Sequence, residues 1–294
     1  MKSVTKPIAT FSLVARDAAT GDLGIAVASK FLAVGAYVPT ASSAAGAVAS
    51  QSFVNTTFGY RALHMMAEGA TPDACAEAFR LSDARIESRQ FGIVSRDGAS
   101  VTFTGRECHP WAGGKAGHNY AAQGNILAGP EVVSALAETY LESTVPFPER
   151  LLFALAAADE AGGDRRGRQS AALLVVGDQK GYGGLTDRWI DLRADDHEAP
   201  IGELQRLLSL HRLFLNKPSQ PPRVLNEQDI GWLQTTLHRL GDLEIPATGR
   251  GNKATERALE NLFGTENLEE RWLGGPSIDP IAWDYLRSRF DSNS

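Results

Sequence analysis

Cysteine is scarce: 294 residues hold only Cys75 and Cys108. Two thiols cannot staple a disulfide scaffold and leave no second pair for a zinc knuckle, so stability must come from a hydrophobic core and a reducing cytoplasm fits best. Long apolar runs are missing as well. Leu151–Ala158 and Ala171–Gly177 fall well short of the about 18 residues that a membrane span needs, which argues against a membrane partner. Basic runs are also absent. With 29 basic and 35 acidic residues the formal net charge is −6, so the footprint that a nucleic-acid backbone demands is lacking. Lys2 and Lys6 precede Ile8–Ala15 in the outline of an export signal, but Thr10 and Ser12 break the apolar stretch and Arg16-Asp17 follows it. This segment reads as a first strand.

What remains is 43% hydrophobic and 22% charged, enough to bury a real core. Asn216–Arg223, NKPSQPPR, holds three prolines and no apolar periodicity, and it divides the chain into a domain over 1–215 and a small module over 224–294. From residue 219 onward there are 8 basic and 12 acidic groups, so most of the excess acidity lies there. Three of the five tryptophans, Trp232, Trp272 and Trp283, give the module its own core. Three short helices are expected in it, over 226–240, 253–262 and 279–289. Asn226 with Asp229, and Asp279-Pro280, supply the helix starts.

In the large domain, strands are expected over 9–16 and 22–30 around a turn at Asp17–Asp22, and again over 44–51, 89–95, 100–104, 119–123, 170–176 and 188–193. Helical spacing covers 56–68, 71–81, 131–142, 148–161 and 201–215, with Thr71-Pro72 as a cap and first position. Strands and helices come in blocks rather than in strict alternation. That order predicts an α+β fold of antiparallel sheets covered by helix pairs, a four-layer αββα sandwich. Small residues between Ala26 and Ala49 agree with strands covered on both faces.

Hairpin arithmetic directs attention to one place. If Asp17 and Asp22 flank the loop, paired positions sum to 39 or 40, and Thr10 stands opposite Ser29 or Lys30. A partly desolvated Lys30 amine would activate a neighbouring nucleophile; the alternative is an amine that reaches solvent. Asn125, Gln51 and Asn55, near strand ends, are candidate amide donors to an oxyanion or ordinary turn and cap residues. Asp164, Arg165, Arg166 and Arg168 form a charged loop suited either to a carboxylate ligand or to a solvated or dimer-contact role. Asp195, Asp196 and His197 point in different directions and fit helix capping better than a metal shell. Cys108-His109 lacks metal spacing, and Gly181–Gly184 has no following helix to hold phosphate. No metal and no cofactor is called for.

The runs Thr10–Asp17, Ala28–Ala36 (ASKFLAVGA), Gln123–Val132 (QGNILAGPEV), Gly163–Val176 (GDRRGRQSAALLVV) and Asp191–His197 (DLRADDH) resemble domain-of-unknown-function family 1028. The likeness covers about 8–215. That family is grouped with the N-terminal-nucleophile hydrolases, and residues 224–290 resemble the peptidoglycan-binding-like module often appended to it. The resemblance implies a mechanism but not a substrate; with Thr10, Lys30 and Asn125 on that sandwich, the expectation is an amide hydrolase for a small amino-acid-like amide. Thr10 is then the nucleophile with its own α-amine as base, assisted by Lys30 and Asn125, while Gln51, Asn55, Asp164 and Arg165 bind substrate. Nine residues precede Thr10, so a free amine there requires cleavage of the Ala9–Thr10 bond. The alternative is a non-catalytic protein of the same fold that binds a small molecule or a cell-wall fragment. A homodimer is expected, and the module is expected to shape access or assembly rather than to hold polymeric wall.

Overall fold

β1 (Thr10–Arg16) and β2 (Leu23–Ser29) form the expected hairpin, with register Phe11↔Ala28 through Arg16↔Leu23. Both strands are buried along nearly their whole length, because their neighbours cover both faces. The computed structural model describes residues 10–244, 247–275 and 277–291; Ala9, where the first strand was expected to begin, lies outside them. Within them the chain is a mixed α/β protein with antiparallel sheets and eight α-helices. It divides into two compact units, 1–207 and 208–294.

In the first unit β3 (Pro39–Ser42), β4 (Gly46–Ser52), β5 (Arg89–Ser95) and β6 (Ser100–Thr104) make a four-stranded sheet in chain order. The second sheet runs β10-β9-β2-β1-β8-β7, with β7 (Gly113–Gly117), β8 (Tyr120–Asn125), β9 (Ser170–Val176) and β10 (Arg188–Ala194). Two of these strands were not expected. β3 is a four-residue edge strand opened by a proline, and β7 reads GGKAG, so neither carries the β-branched alternation that marks a strand.

Helices α1 (Thr57–Ala67) and α2 (Pro72–Ser82) pack on the four-stranded sheet, and α3 (Glu131–Glu142) and α4 (Phe147–Glu160) on the six-stranded one. Thr71 starts α2 as foreseen: its Oγ1 accepts the Ala74 N–H at 3.2 Å and Pro72 takes the first position. Phe79, one turn on from Cys75, stacks on Phe58 of α1 at 4.0 Å, and Phe91 of β5 meets both rings edge-on. The remaining faces of the two sheets meet through Val14, Ile25, Val27, Val94 and Leu174.

The second unit begins inside α5 (Pro200–Leu215), not at the proline-rich stretch. Leu213 already belongs to its core, and Leu210 and Phe214 pack against that core. The fully buried Arg271 guanidinium takes the Leu213 and Arg212 carbonyls and pairs with Asp279 at 2.8 Å. The stretch over 216–223 thus runs within this unit and ends in β11 (Arg223–Val224), paired with β12 (Ser277–Ile278). Three helices complete it: α6 (Glu227–Leu240), α7 (Lys253–Thr265) and α8 (Pro280–Asp291). Asn226 and Asp229 form a reciprocal capping box on α6, and Gly241, in the left-handed region at φ 86°, closes it.

Candidate functional site

Alternation along β1 sends Thr10, Ser12 and Val14 toward the other sheet. Their neighbours across the strands on the same face are Asn125, Gln123 and Ala121 on β8, and Ile25 and Val27 on β2. One end of this inter-sheet face is therefore polar and the rest is aliphatic. Thr10 begins the polar end, with its Oγ1 3.4 Å from the Ser29 hydroxyl, to which it donates. Ser170 follows on β9, opposite Ser29, so Asn125, Thr10, Ser29 and Ser170 form a row across four strands. All four are buried.

A relay of hydrogen bonds crosses between the sheets beside this row. Thr102 Oγ1 donates to Gln123 Oε1 at 3.3 Å, Gln123 Nε2 to Ser12 Oγ at 2.7 Å, and Ser12 Oγ to Gln51 Oε1 at 2.7 Å. Gln51 Nε2 then donates to Gln90 Oε1 at 2.8 Å, and Gln90 Nε2 to Gly124 O at 2.7 Å and Thr104 Oγ1 at 2.9 Å. Each amide is oriented by the next, which rigidifies this end of the sheets. Gly92 of β5 makes the approach feasible, since a Cβ there would collide with the Gln123 amide. Ala33, Ser52 and Ile126, at or just beyond the ends of β2, β4 and β8, all hold left-handed backbone at φ 53°, 64° and 53°. Such strain, of order 1–3 kcal/mol per residue, persists where surrounding structure enforces it and clusters at functional sites.

The residues singled out from sequence divide accordingly. Thr10 and Asn125 come together. Lys30 does not join them: the register pairs Thr10 with Ser29, and one residue later the chain has left the strand. Lys30 is exposed, and its ammonium donates to Arg168 O at 3.0 Å. Gln51 lies in the relay with both amide atoms engaged. Asn55 donates to Asp83 and accepts from the Thr57 N–H and hydroxyl, an Asx turn that leads the chain into α1. Burial works against the Asp83 carboxylate, but the hydrogen bonds from Asn55, the Arg85 N–H and Arg89 hold it below the ordinary carboxylate range.

Asp164 is buried and engaged on both oxygens: the Lys30 backbone N–H reaches its Oδ2 at 2.8 Å, and Arg166 takes both oxygens. Arg165 alone of the four expected substrate-binding residues is exposed, with no side-chain partner among the described residues. Asp196 accepts from Gln169 and His197 Nδ1 from the Ala199 N–H, ahead of α5. No group of three metal-ligating side chains occurs among the described residues. Cys108 is buried, which raises its thiol pKa, and its Sγ donates to Arg89 O at 3.3 Å. Ser12, Gln90, Gln123 and Ser170 were missed, although inward polar residues at one end of neighbouring strands would have marked them.

A family model described as "Family of unknown function (DUF1028)" matches residues 10–204. The chain belongs to the DUF1028 family. Its match begins at Thr10, the first residue of the polar row. A second family model, described as "Putative peptidoglycan binding domain", matches residues 213–286. Among solved structures, protein SPO2555 from Silicibacter pomeroyi, also a DUF1028 protein, is 31% identical, with a TM-score of 0.63 over 69% of this chain and 89% of that one. No curated protein matches. No helix among the described residues is long and apolar enough to cross a membrane.

In the second unit the tryptophans are taken up by packing. Trp232 and Trp283 meet edge-to-face at 5.2 Å, Arg287 lies 4.5 Å over Trp232 and Arg223 lies 5.0 Å over Trp283. Trp272 packs edge-on against Phe263.

Proposed function

We propose that the DUF1028 unit is a four-layer αββα sandwich of the N-terminal-nucleophile hydrolase type, and that it hydrolyses small amino-acid-like amides with Thr10 as nucleophile. The observation that carries this reading is the position of Thr10: it opens β1, stands in the buried polar row between Asn125 and Ser29, and begins the family match. The two sheets packed face to face, each covered by a helix pair, support the fold assignment. In the reaction, water first cleaves the Ala9–Thr10 bond, which lies outside the described residues, and leaves Thr10 with a free α-amine. That amine takes the Thr10 hydroxyl proton as Oγ1 bonds to the amide carbonyl carbon, then gives the proton to the departing amine. Water hydrolyses the resulting ester. Thr10 is fully buried in the uncut chain, and the hydrolase reading requires that substrate reach it after cleavage. Ammonia release from amides by protein that starts at Thr10 tests the chemistry: Thr10→Ala abolishes it and Thr10→Ser retains part of it. Equal release by Thr10→Ala would remove Thr10 from the mechanism.

A second reading, a non-catalytic protein binding a small molecule or a cell-wall fragment, is favoured by two facts: Thr10 is inaccessible, and the Lys30 ammonium is given to Arg168 O. For the second unit we propose that it does not hold polymeric wall, because guanidinium groups lie over the Trp232 and Trp283 rings that would stack on sugars. Retention on purified peptidoglycan that soluble wall fragments compete away would overturn this. A homodimer is proposed as well, and sedimentation as a concentration-independent 31.5 kDa monomer would refute it.

A further inference from the structure

One polar atom of the buried network is left over. Asn125 is wholly buried, and its Oδ1 has no hydrogen-bond partner among the described residues, whereas its Nδ2 donates to Gln90 Oε1 at 2.9 Å. The network itself fixes which atom is which. Gln90 turns its Nε2 to the Gly124 and Gly113 carbonyls, at 2.7 and 3.3 Å, so that atom must be the donor. Its Oε1 already accepts from Gln51 Nε2, and only an N–H of Asn125 can face it favourably. The atom that Asn125 leaves over is therefore an acceptor. The bond to Gln90 uses one of the two Nδ2 hydrogens, so the donor role in an oxyanion hole expected from sequence would fall to the second.

Its place is specific. Asn125 stands directly opposite Thr10 in the β1–β8 register, where paired Cα atoms lie about 4.5–5.5 Å apart and side chains share a face. Ile126 follows it at φ 53°, a conformation a β-branched residue holds only under constraint from its surroundings. A buried amide oxygen without a donor is unfavourable in the free protein and becomes favourable when a ligand supplies one. A ligand that sets its carbonyl carbon at Thr10 Oγ1 and its neighbouring carbon toward β8 brings the substituent on that carbon to Asn125.

We propose that Asn125 is a specificity-determining residue whose Oδ1 receives an N–H of the ligand, so that the site selects amides bearing a nitrogen on the carbon next to the carbonyl, the α-amino-acid amides. This rests on the reading of Thr10 as the residue that meets the carbonyl. The test uses the full chain and two probes of nearly equal size, L-alaninamide and propionamide, which lacks the α-nitrogen. Binding is followed in both proteins by NMR titration of the backbone amide resonances of β1 and β8, with the Asn125 side-chain amide as a further reporter in wild type. Wild-type protein binds alaninamide about tenfold more tightly, as expected for one hydrogen bond from a charged donor, and Asn125→Leu reduces that preference to nearly one. Equal affinities for the two probes, binding of neither, or an unchanged preference in Asn125→Leu would each overturn the proposal. So would a crystal structure with alaninamide in which Oδ1 holds an ordered water only. The wild-type comparison decides the matter even if Asn125→Leu does not fold. Hydrolysis is read separately, on protein that starts at Thr10: equal turnover of both probes removes the role of Asn125 and keeps the hydrolase, whereas selective, Asn125-dependent binding without turnover does the reverse.

Discussion

Gln90→Met takes the centre out of the polar relay while keeping nearly the same side-chain length. Gln90 is fully buried, its Nε2 serves Gly124 O, Gly113 O and Thr104 Oγ1, and its Oε1 accepts from Gln51 and Asn125. In the variant the Asn125 Nδ2 loses its partner. Gln51 Nε2 keeps only two long contacts, to Thr10 O at 3.4 Å and Gln123 O at 3.5 Å. One donor is stranded and another weakened, and at about 1–3 kcal/mol per buried unsatisfied group the net loss is about 3 kcal/mol. For a unit of this size that lowers the melting temperature by about 6–12 °C. Calorimetry on the full chain measures the loss, and hydrogen exchange at β5 and β8 amides assigns it to the first unit. Adding Asn125→Leu should recover part of the loss, since both partners are then apolar. A Gln90→Met protein within about 0.5 kcal/mol of wild type would refute the relay as a source of rigidity.

Three further outcomes are expected. Arg271→Met leaves Asp279 buried without its counter-charge and should cost the second unit about 3–5 kcal/mol by urea unfolding followed through tryptophan fluorescence; a loss below about 1 kcal/mol would mean that the pair is not buried in solution. Asp83 is held below the usual carboxylate range, so its contribution to stability is complete above the unfolded value near about 4 and is lost as pH falls through the lower folded value. Asp83→Asn should flatten that acid limb of the stability curve, and an unchanged limb would assign it elsewhere. Burial raises the thiol pKa of both Cys75 and Cys108, so neither should react with a thiol reagent at pH 8 until urea unfolds the chain; rapid labelling of the native protein would contradict their packing.

Much of the fold was legible because local chemistry and burial agree in it. Thr71-Pro72 starts α2 and Asn226 with Asp229 starts α6, since capping depends on residues three apart and little else. The hairpin sum left Ser29 or Lys30 opposite Thr10, and the register chooses Ser29, the last residue of β2. β3 and β7 stayed hidden because their pairing comes from neighbouring strands and not from their own residues. Prolines advertise a break, whereas the features that divide the two compact units inside α5 are long-range: Leu213 in the core of the second unit and Arg271 on the last carbonyls of α5. At the site, a register uncertain by one residue kept Lys30 beside Thr10, and residue type alone brought in Asn55 and Asp164. What separates them is where each polar atom is already engaged, and sequence does not carry that. Gln90 and Gln123 were overlooked for the converse reason: a glutamine inside a strand draws no attention until register shows that it faces the other sheet.

The central claim is that Thr10 becomes a chain terminus and acts through its own amine. Intact mass with N-terminal sequencing of protein from its native host tests it directly. The account predicts a chain that begins at Thr10, lighter than the full sequence by the nine residues before it. Protein that begins only at Met1 or Lys2 would contradict the hydrolase reading and leave the binding reading in its place.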